Sequence, residues 1–167
     1  MGIFDEKRPT IFLNIDGVLH PFGALLLNDG TVRMRDGRHT LFQWAEPLVQ
    51  IVGEYNAELV LRTSWTSQLP LYRVLSLMPS TLAHAVAGVT QPIAISRTDR
   101  TQCRSRYSVI REYVEWHALT KWVAIDDVDD GWPESEQEKL VLCEDGTGLS
   151  RLLTELELRE KLQQLSR

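Results

Sequence analysis

An α/β fold with a mostly parallel sheet of about five strands is what this sequence predicts, and two patterns predict it. Short apolar runs suited to strands recur at residues 11–15, 58–61, 122–125 and 139–142. The first, ended by Asp-Gly, reads as a strand buried on both faces rather than half-exposed. Between the strands lie segments with apolar residues at helical spacing. Strands that alternate with helices fold into a parallel sheet with helices over it.

Composition sets the outer bounds. A single domain spanning residues 1–167 is expected, long enough to bury a core without disulfide or metal staples. With 43% hydrophobic and 25% charged residues, the composition is that of a soluble globular protein. No apolar run approaches the roughly 18 residues of a membrane span. Residues 1–9 are charged and carry no apolar signal region, so a cytoplasmic protein with no membrane partner is expected. Cys103 and Cys143 have neither metal-ligand spacing nor the density of a disulfide scaffold, and both read as free thiols. The net charge of −5 argues against wholesale nucleic-acid coating.

The first strand runs through Asn14-Ile15-Asp16-Gly17. In open α/β sheets the chemistry lies just beyond the carboxyl ends of the strands, so positions 14 and 16 arrive at one point. Next, Leu25-Leu26-Leu27, Asn28-Asp29-Gly30 and Thr31-Val32-Arg33-Met34-Arg35 read as a β-hairpin on an Asp-Gly turn. A helix opens near Pro47, with Leu48, Val49, Ile51 and Val52 inward and Tyr55-Asn56 at its end. The strand at 58–61 leads into Arg62-Thr63-Ser64-Trp65. A short hydroxyl beside free backbone N–H groups suits a phosphoryl oxygen there, although Thr-Ser after a strand is by itself an ordinary helix cap.

Residues 67–78 read as one helix with Leu69, Leu71, Val74, Leu75 and Met78 inward, and residues 79–92 as a short helix before a strand near 93–95. Arg97, Arg100, Arg104, Arg106 and Arg111 then face a single acid, Asp99. They lead into a helix carrying Val109, Ile110, Tyr113, Val114 and His117, and a solvated helix face is the plain reading of such a cluster. The strand at 122–125 runs into Asp126-Asp127-Val128-Asp129-Asp130. Acid-rich loops are commonly solvated turns, yet directly after a buried-type strand such a loop offers the hard oxygens that Mg²⁺ takes. Gly146-Thr147-Gly148 has neither a dinucleotide-binding unit nor a P-loop lysine around it. A helix over 149–165 closes the chain, with Leu152, Leu153, Leu156 and Leu162 inward.

Four of these stretches resemble the motifs of the haloacid dehalogenase (HAD) superfamily, in family order and over nearly the whole chain. The strand ending Asn14-Ile15-Asp16-Gly17-Val18-Leu19-His20-Pro21 is similar to the first motif, Asp-x-Asp-Gly-Val/Thr. Its Leu-His-Pro ending resembles small members grouped with RNA-repair-associated (Swiss Army Knife) proteins. The resemblance implies a three-layer, Rossmann-like sheet, a hairpin flap at about residues 21–39 and no large cap domain. It also implies a Mg²⁺-dependent phosphatase that works through an aspartyl phosphate. Position 14 would then be the nucleophile, Asp16 the general acid/base, Thr63 the phosphate-binding hydroxyl, and Arg106 the basic residue of the third motif. Ser64, Arg104, Gly17 and His20 are implied as further substrate contacts, and Asn14, Asp16, Asp126 and Asp127 as the metal site.

One departure matters. The family carries its nucleophilic aspartate where this chain has Asn14. An amide has no anionic oxygen with which to attack phosphorus, so binding without turnover is expected. Asn14 is either a substitution made in an active phosphatase to trap substrate or native to a phosphate-binding module; the retained Asp16 favours the first. Eight of the eighteen basic residues fall in two stretches, Arg33, Arg35 and Arg38 on the flap and the five arginines of residues 97–111. The planar fork of arginine suits phosphate. A terminal phosphate on RNA or DNA is therefore expected, with a small phosphorylated metabolite as the alternative. A monomer or weak homodimer is expected.

Overall fold

The computed structural model describes residues 8–92 and 104–167. The chain runs through β1 (Thr10–Leu13), the hairpin strands β2 (Ala24–Leu26) and β3 (Val32–Met34), and helix α1 (Glu46–Tyr55). It continues through β4 (Glu58–Leu61), the short helices α2 (Trp65–Gln68), α3 (Leu71–Leu77) and α4 (Ser80–Ala85), and β5 (Val86–Val89). Helix α5 (Arg106–Trp116), β6 (Trp122–Asp126), β7 (Leu140–Leu142) and α6 (Leu152–Leu165) complete it. The main sheet has the order β5-β4-β1-β6-β7 with every pairing parallel, while β2 and β3 pair antiparallel as a separate hairpin. This is the expected α/β architecture.

Strand alternation divides the core between two faces. Ile11, Leu13, Leu59, Leu61, Val123, Ile125 and Val141 meet Leu48, Ile51 and Val52 of α1, Val74 of α3, Leu82 of α4, and Leu158 and Leu162 of α6. Phe12, Val60, Trp122, Ala124 and Leu140 meet Ile110 and Val114 of α5 together with Trp132. Phe12 lies edge-on to the rings of Tyr113 and Trp122, at 5.6 and 5.7 Å between centroids. A central strand covered on both sides accounts for the unbroken apolar run at the start of the chain. Among the described residues, no helix is long and apolar enough to cross a membrane.

Three expectations are corrected. The helix read over 67–78 is two helices, because Pro70 has no N–H to donate and holds Leu69 extended (φ −126°, ψ 146°); Leu71 is left exposed. The strand after α4 is β5, earlier than the 93–95 segment, which falls outside the described residues. Gly88 in β5 lies where an added Cβ would come 2.2 Å from the Tyr113 hydroxyl, so the strand passes close under α5. The third correction concerns α6. Its buried residues are Thr154, Leu158 and Leu162, whereas Leu152, Leu153 and Leu156 are exposed. Leu149, fully buried ahead of the helix, takes the core position that the sequence pattern gives to the first turn. At the rim Arg159 pairs with Glu54 of α1, consistent with that rotation of the helix.

That rotation has a measurable consequence. Leu158→Ala should cost about 2–5 kcal/mol, as for a fully buried leucine. Leu153→Ala should change stability by no more than about 0.5 kcal/mol. Urea denaturation of the two variants distinguishes this packing from the one read off the sequence; equal costs would restore the latter.

Candidate active site

The sheet register assembles the site. Leu13 lies opposite Leu61 on one side and Ile125 on the other, so Asn14, Arg62 and Asp126 stand level one residue further on. Backbone bonds carry the pairing to that level: Arg62 N–H donates to Leu13 O at 2.8 Å, and Asn14 N–H to Ile125 O at 3.2 Å. The Asn14 side chain is 5% exposed. Its Nδ2 donates to the Asp16 carbonyl at 2.8 Å and to Asp127 Oδ1 at 2.9 Å. Gly17 makes room for this arrangement. It sits at φ 77°, and a Cβ there would lie 2.4 Å from Asp127 Oδ2.

Two arginines grip the neighbouring acid. Asp126, 2% exposed, meets Arg62 Nη2 at 3.1 Å and Arg106 Nη1 at 2.5 Å, and accepts the Asp127 N–H at 2.8 Å. Arg106 Nη1 also reaches Asp127 Oδ1 at 3.1 Å. Burial pushes the Asp126 carboxyl up to about 6 against the pull of both guanidiniums. Burial likewise brings Arg62 below its ordinary range. It acts in the same sense on Arg106, but there the attraction of Asp126 and Asp127 outweighs it and the net shift is upward. Among the described residues Arg62 Nε is buried without a hydrogen-bond partner. Asp126 and Asp127 are thus both brought to the site, Asp127 beside Asn14 and Asp126 deeper, between the arginines.

Thr63 is 7% exposed, and its Oγ1 accepts the Trp65 N–H at 3.2 Å, which leaves the hydroxyl proton free to donate. Ser64 is exposed at the head of α2 with no capping bond. Thr63, Ser64, Arg62, Arg104 and Arg106 share the wall of an open cleft of about 530 Å³ with Thr90 and Asp130. Asp16 turns its carboxylate to His20 Nε2 (2.8 Å) and Trp65 Nε1 (3.0 Å).

A strand-end Asn-x-Asp stretch, a hydroxyl after the next strand, a cation at a helix start and paired acids therefore meet at one edge of one parallel sheet. A model of the family described as the HAD domain in Swiss Army Knife RNA repair proteins matches residues 10–152. The chain belongs to this HAD family. A search of curated proteins gives no match.

Within the HAD domain, the structure alters several sequence expectations. His20 is completely buried beneath Asp16, so it supports that carboxylate and does not line a substrate surface. Arg106 meets the acids, whereas Arg104 is exposed and pairs with Glu112 at 3.1 Å. Arg111 pairs with Glu115, so two of the clustered arginines find acids on α5; Arg97, Asp99, Arg100 and Cys103 lie outside the described residues. Sequence reasoning passed over Arg62 and Trp65 as working groups. Their signal was position: one residue either side of the Thr63-Ser64 pair at the end of a buried strand. Cys143 is a buried free thiol, pushed up to about 12 chiefly by burial and further by Asp126 and Asp127.

The Asp126 shift gives a pH dependence of known sign. A carboxyl raised in the folded state contributes stability that is complete below its ordinary value of 3.8 and is lost as pH rises through about 6. The chain should therefore lose stability between pH 4 and pH 6 relative to the Asp126→Asn variant. Urea denaturation at half-unit pH intervals measures it; parallel profiles for the two proteins would contradict the assignment.

Proposed function

We propose that this chain is a Mg²⁺-type HAD phosphohydrolase scaffold that binds a terminal phosphate and is held before the attack step by Asn14. One observation carries the reading. The Asp16 carbonyl and the Asp127 carboxylate both converge on Asn14 Nδ2, at 2.8 and 2.9 Å. The amide N–H₂ satisfies two oxygens that a carboxylate at position 14 would leave facing it without a donor.

That donor set fits Mg²⁺. Among the described residues there is no cluster of three or more His, Cys, Asp or Glu side chains disposed for a metal. Yet a backbone carbonyl, a carboxylate and a side-chain oxygen at position 14 are the hard ligands Mg²⁺ accepts, with water completing its shell. The position-14 oxygen, Asp16 O and Asp127 would hold it. The ion would supply charge neutralisation for the phosphoryl group and the carboxylates. Asp126, gripped by Arg62 and Arg106, supports Asp127 through its backbone N–H.

The remaining roles follow from the chain's own groups. Thr63 offers its free hydroxyl proton to a phosphoryl oxygen. Arg106 brings positive charge to the site and has guanidinium N–H groups beyond the one engaged by Asp126 and Asp127. Asp16 is the acid/base for the leaving oxygen and for water. Asn14 fills the nucleophile position without an attacking oxygen, which permits binding and blocks turnover.

For substrate, we propose a phosphate at the end of a nucleic acid. The matched family is described by its RNA repair proteins. Arg33 and Arg35 of the hairpin and Arg38 just after it are exposed, and the hairpin turn is tied to α3 by Arg73 Nη2 on Gly30 O at 3.0 Å. Between β1 and α1 this hairpin is the only sheet element, and among the described residues no large domain covers the cleft. The pairing of Arg104 and Arg111 with glutamates favours the second reading, a small phosphorylated metabolite. Affinity for a phosphorylated oligonucleotide should exceed that for mononucleotides and fall steeply with salt. Equal or tighter binding of the small compounds, insensitive to salt, would favour the second reading.

The decisive variant is Asn14→Asp. It should gain Mg²⁺-dependent hydrolysis of an aryl phosphate, with a rise over the parent of several powers of ten, on the order of 8 kcal/mol. Without Mg²⁺ it should melt below the parent, since it adds a charge beside Asp16 and Asp127, and added Mg²⁺ should narrow the gap. A variant that binds Mg²⁺ but turns over neither aryl phosphates nor phosphorylated oligonucleotides would identify a phosphate-binding module instead.

A further inference from the structure

Asp16 is held from two sides. Its Oδ1 accepts from His20 Nε2 at 2.8 Å, and its Oδ2 from Trp65 Nε1 at 3.0 Å. The place of the His20 proton follows from a third residue. The backbone N–H of Phe42 donates to His20 Nδ1 at 3.2 Å, which requires that nitrogen to be unprotonated. The ring proton is therefore on Nε2, pointing at Asp16. His20 is 0% exposed and Trp65 6%, so neither is placed to meet a substrate. The rings of His20, Phe42 and Trp65 touch pairwise, with centroids 5.4 to 5.7 Å apart. They come from three separate segments: the turn after β1, the stretch before α1 and the start of α2. The turn itself is closed by Gly17 N–H on His20 O at 2.9 Å.

We infer that His20 and Trp65 are positioning residues for Asp16, with the Phe42 N–H selecting the His20 tautomer that makes this possible. The inference rests on the reading of Asp16 as the acid/base. One donor on each oxygen, fixed by ring packing, prevents the carboxyl plane from rotating and aims its unused lone pairs at the leaving oxygen. In the Asn14→Asp background the new carboxylate oxygen bonds to phosphorus as the bond from phosphorus to the leaving oxygen breaks and the Asp16 carboxyl proton moves to that oxygen. Asp16 later takes a proton from water, whose oxygen bonds to phosphorus as the bond between phosphorus and the position-14 carboxylate breaks and frees phosphate. A poor leaving group needs that proton, whereas a nitrophenolate departs without it. Misaligned Asp16 therefore penalises alkyl phosphates more than nitrophenyl phosphate.

The experiment has two arms. In the chain as it stands, long-range ¹⁵N–¹H NMR of the His20 imidazole should show Nε2 protonated and Nδ1 bare; a proton on Nδ1 overturns the inference. In the Asn14→Asp background, His20→Leu and Trp65→Phe should widen the nitrophenyl-to-alkyl ratio of kcat by about tenfold or more, within the range of general acid catalysis. His20→Gln, whose side-chain amide returns an N–H near the Nε2 position, should bring the ratio back. Equal losses on both substrates, or no recovery with glutamine, would reduce His20 to a packing residue and overturn the inference. Absence of turnover in Asn14→Asp on either substrate would defeat the phosphohydrolase reading and the positioning role with it, and the imidazole spectrum would still report the tautomer separately.

Discussion

The parallel pairing of β1 between β4 and β6 is the constraint on which the site depends. With Leu13 opposite both Leu61 and Ile125, the next residue of each strand reaches the sheet edge at the same height. Asn14, Arg62 and Asp126 are neighbours for that reason alone. A slip of one residue in either pairing would turn the alternating side chains over, setting Leu13 or its partners against the wrong helix layer and separating the polar groups. Fold stability and site geometry are thus specified by the same register. The apolar cost of a slip protects the polar arrangement.

Charge burial is the counterpart of that order. Asp126 and Arg62 are almost wholly removed from water, and among the described residues the buried Arg62 Nε has no hydrogen-bond partner. Ion pairs in such settings recover their desolvation cost poorly, and an apolar pair of similar volume would often be more stable. Their presence at a strand end, with Asp127 and Arg106 beside them, is a local departure from the most stable packing. The Asp126 carboxyl, raised to about 6 by burial despite two guanidiniums, carries the same tension.

Close backbone approach does the rest. Gly17 at φ 77° gives Asp127 its place. Gly148, at φ 52°, lies where a Cβ would come 2.6 Å from Val18 O and 2.5 Å from the Trp44 ring, and Leu149 N–H closes on Val18 O at 3.0 Å. The Gly146-Thr147-Gly148 stretch, which matches no phosphate-binding pattern, therefore straps the loop that carries Asp16. Trp44 N–H on Leu19 O at 2.9 Å ties the same loop from another side.

The sequence by itself determined the class of fold, most strand positions and the identity of the four motif segments. Those rest on local physics: apolar runs too short for helices, Asp-Gly breaks, and a proline and an asparagine bounding α1. It also determined that position 14 lacks a carboxylate, because that is a matter of covalent identity. Tertiary structure alone decided which face of α6 is buried, since its leucines run round the helix and the choice falls to the packing of Leu149, Leu158 and Leu162. It decided that Arg106 and not Arg104 meets the acids, and it gave Arg62, Trp65 and His20 their parts. For Arg106, Arg62 and Trp65 the partners lie 20 to 64 positions away in the chain, Asp126 for both arginines and Asp16 for Trp65. For His20 the Phe42 N–H is as distant, although Asp16 is only four positions away. Periodicity reports what a residue does for its own element; only the packed sheet brings distant elements within hydrogen-bonding reach.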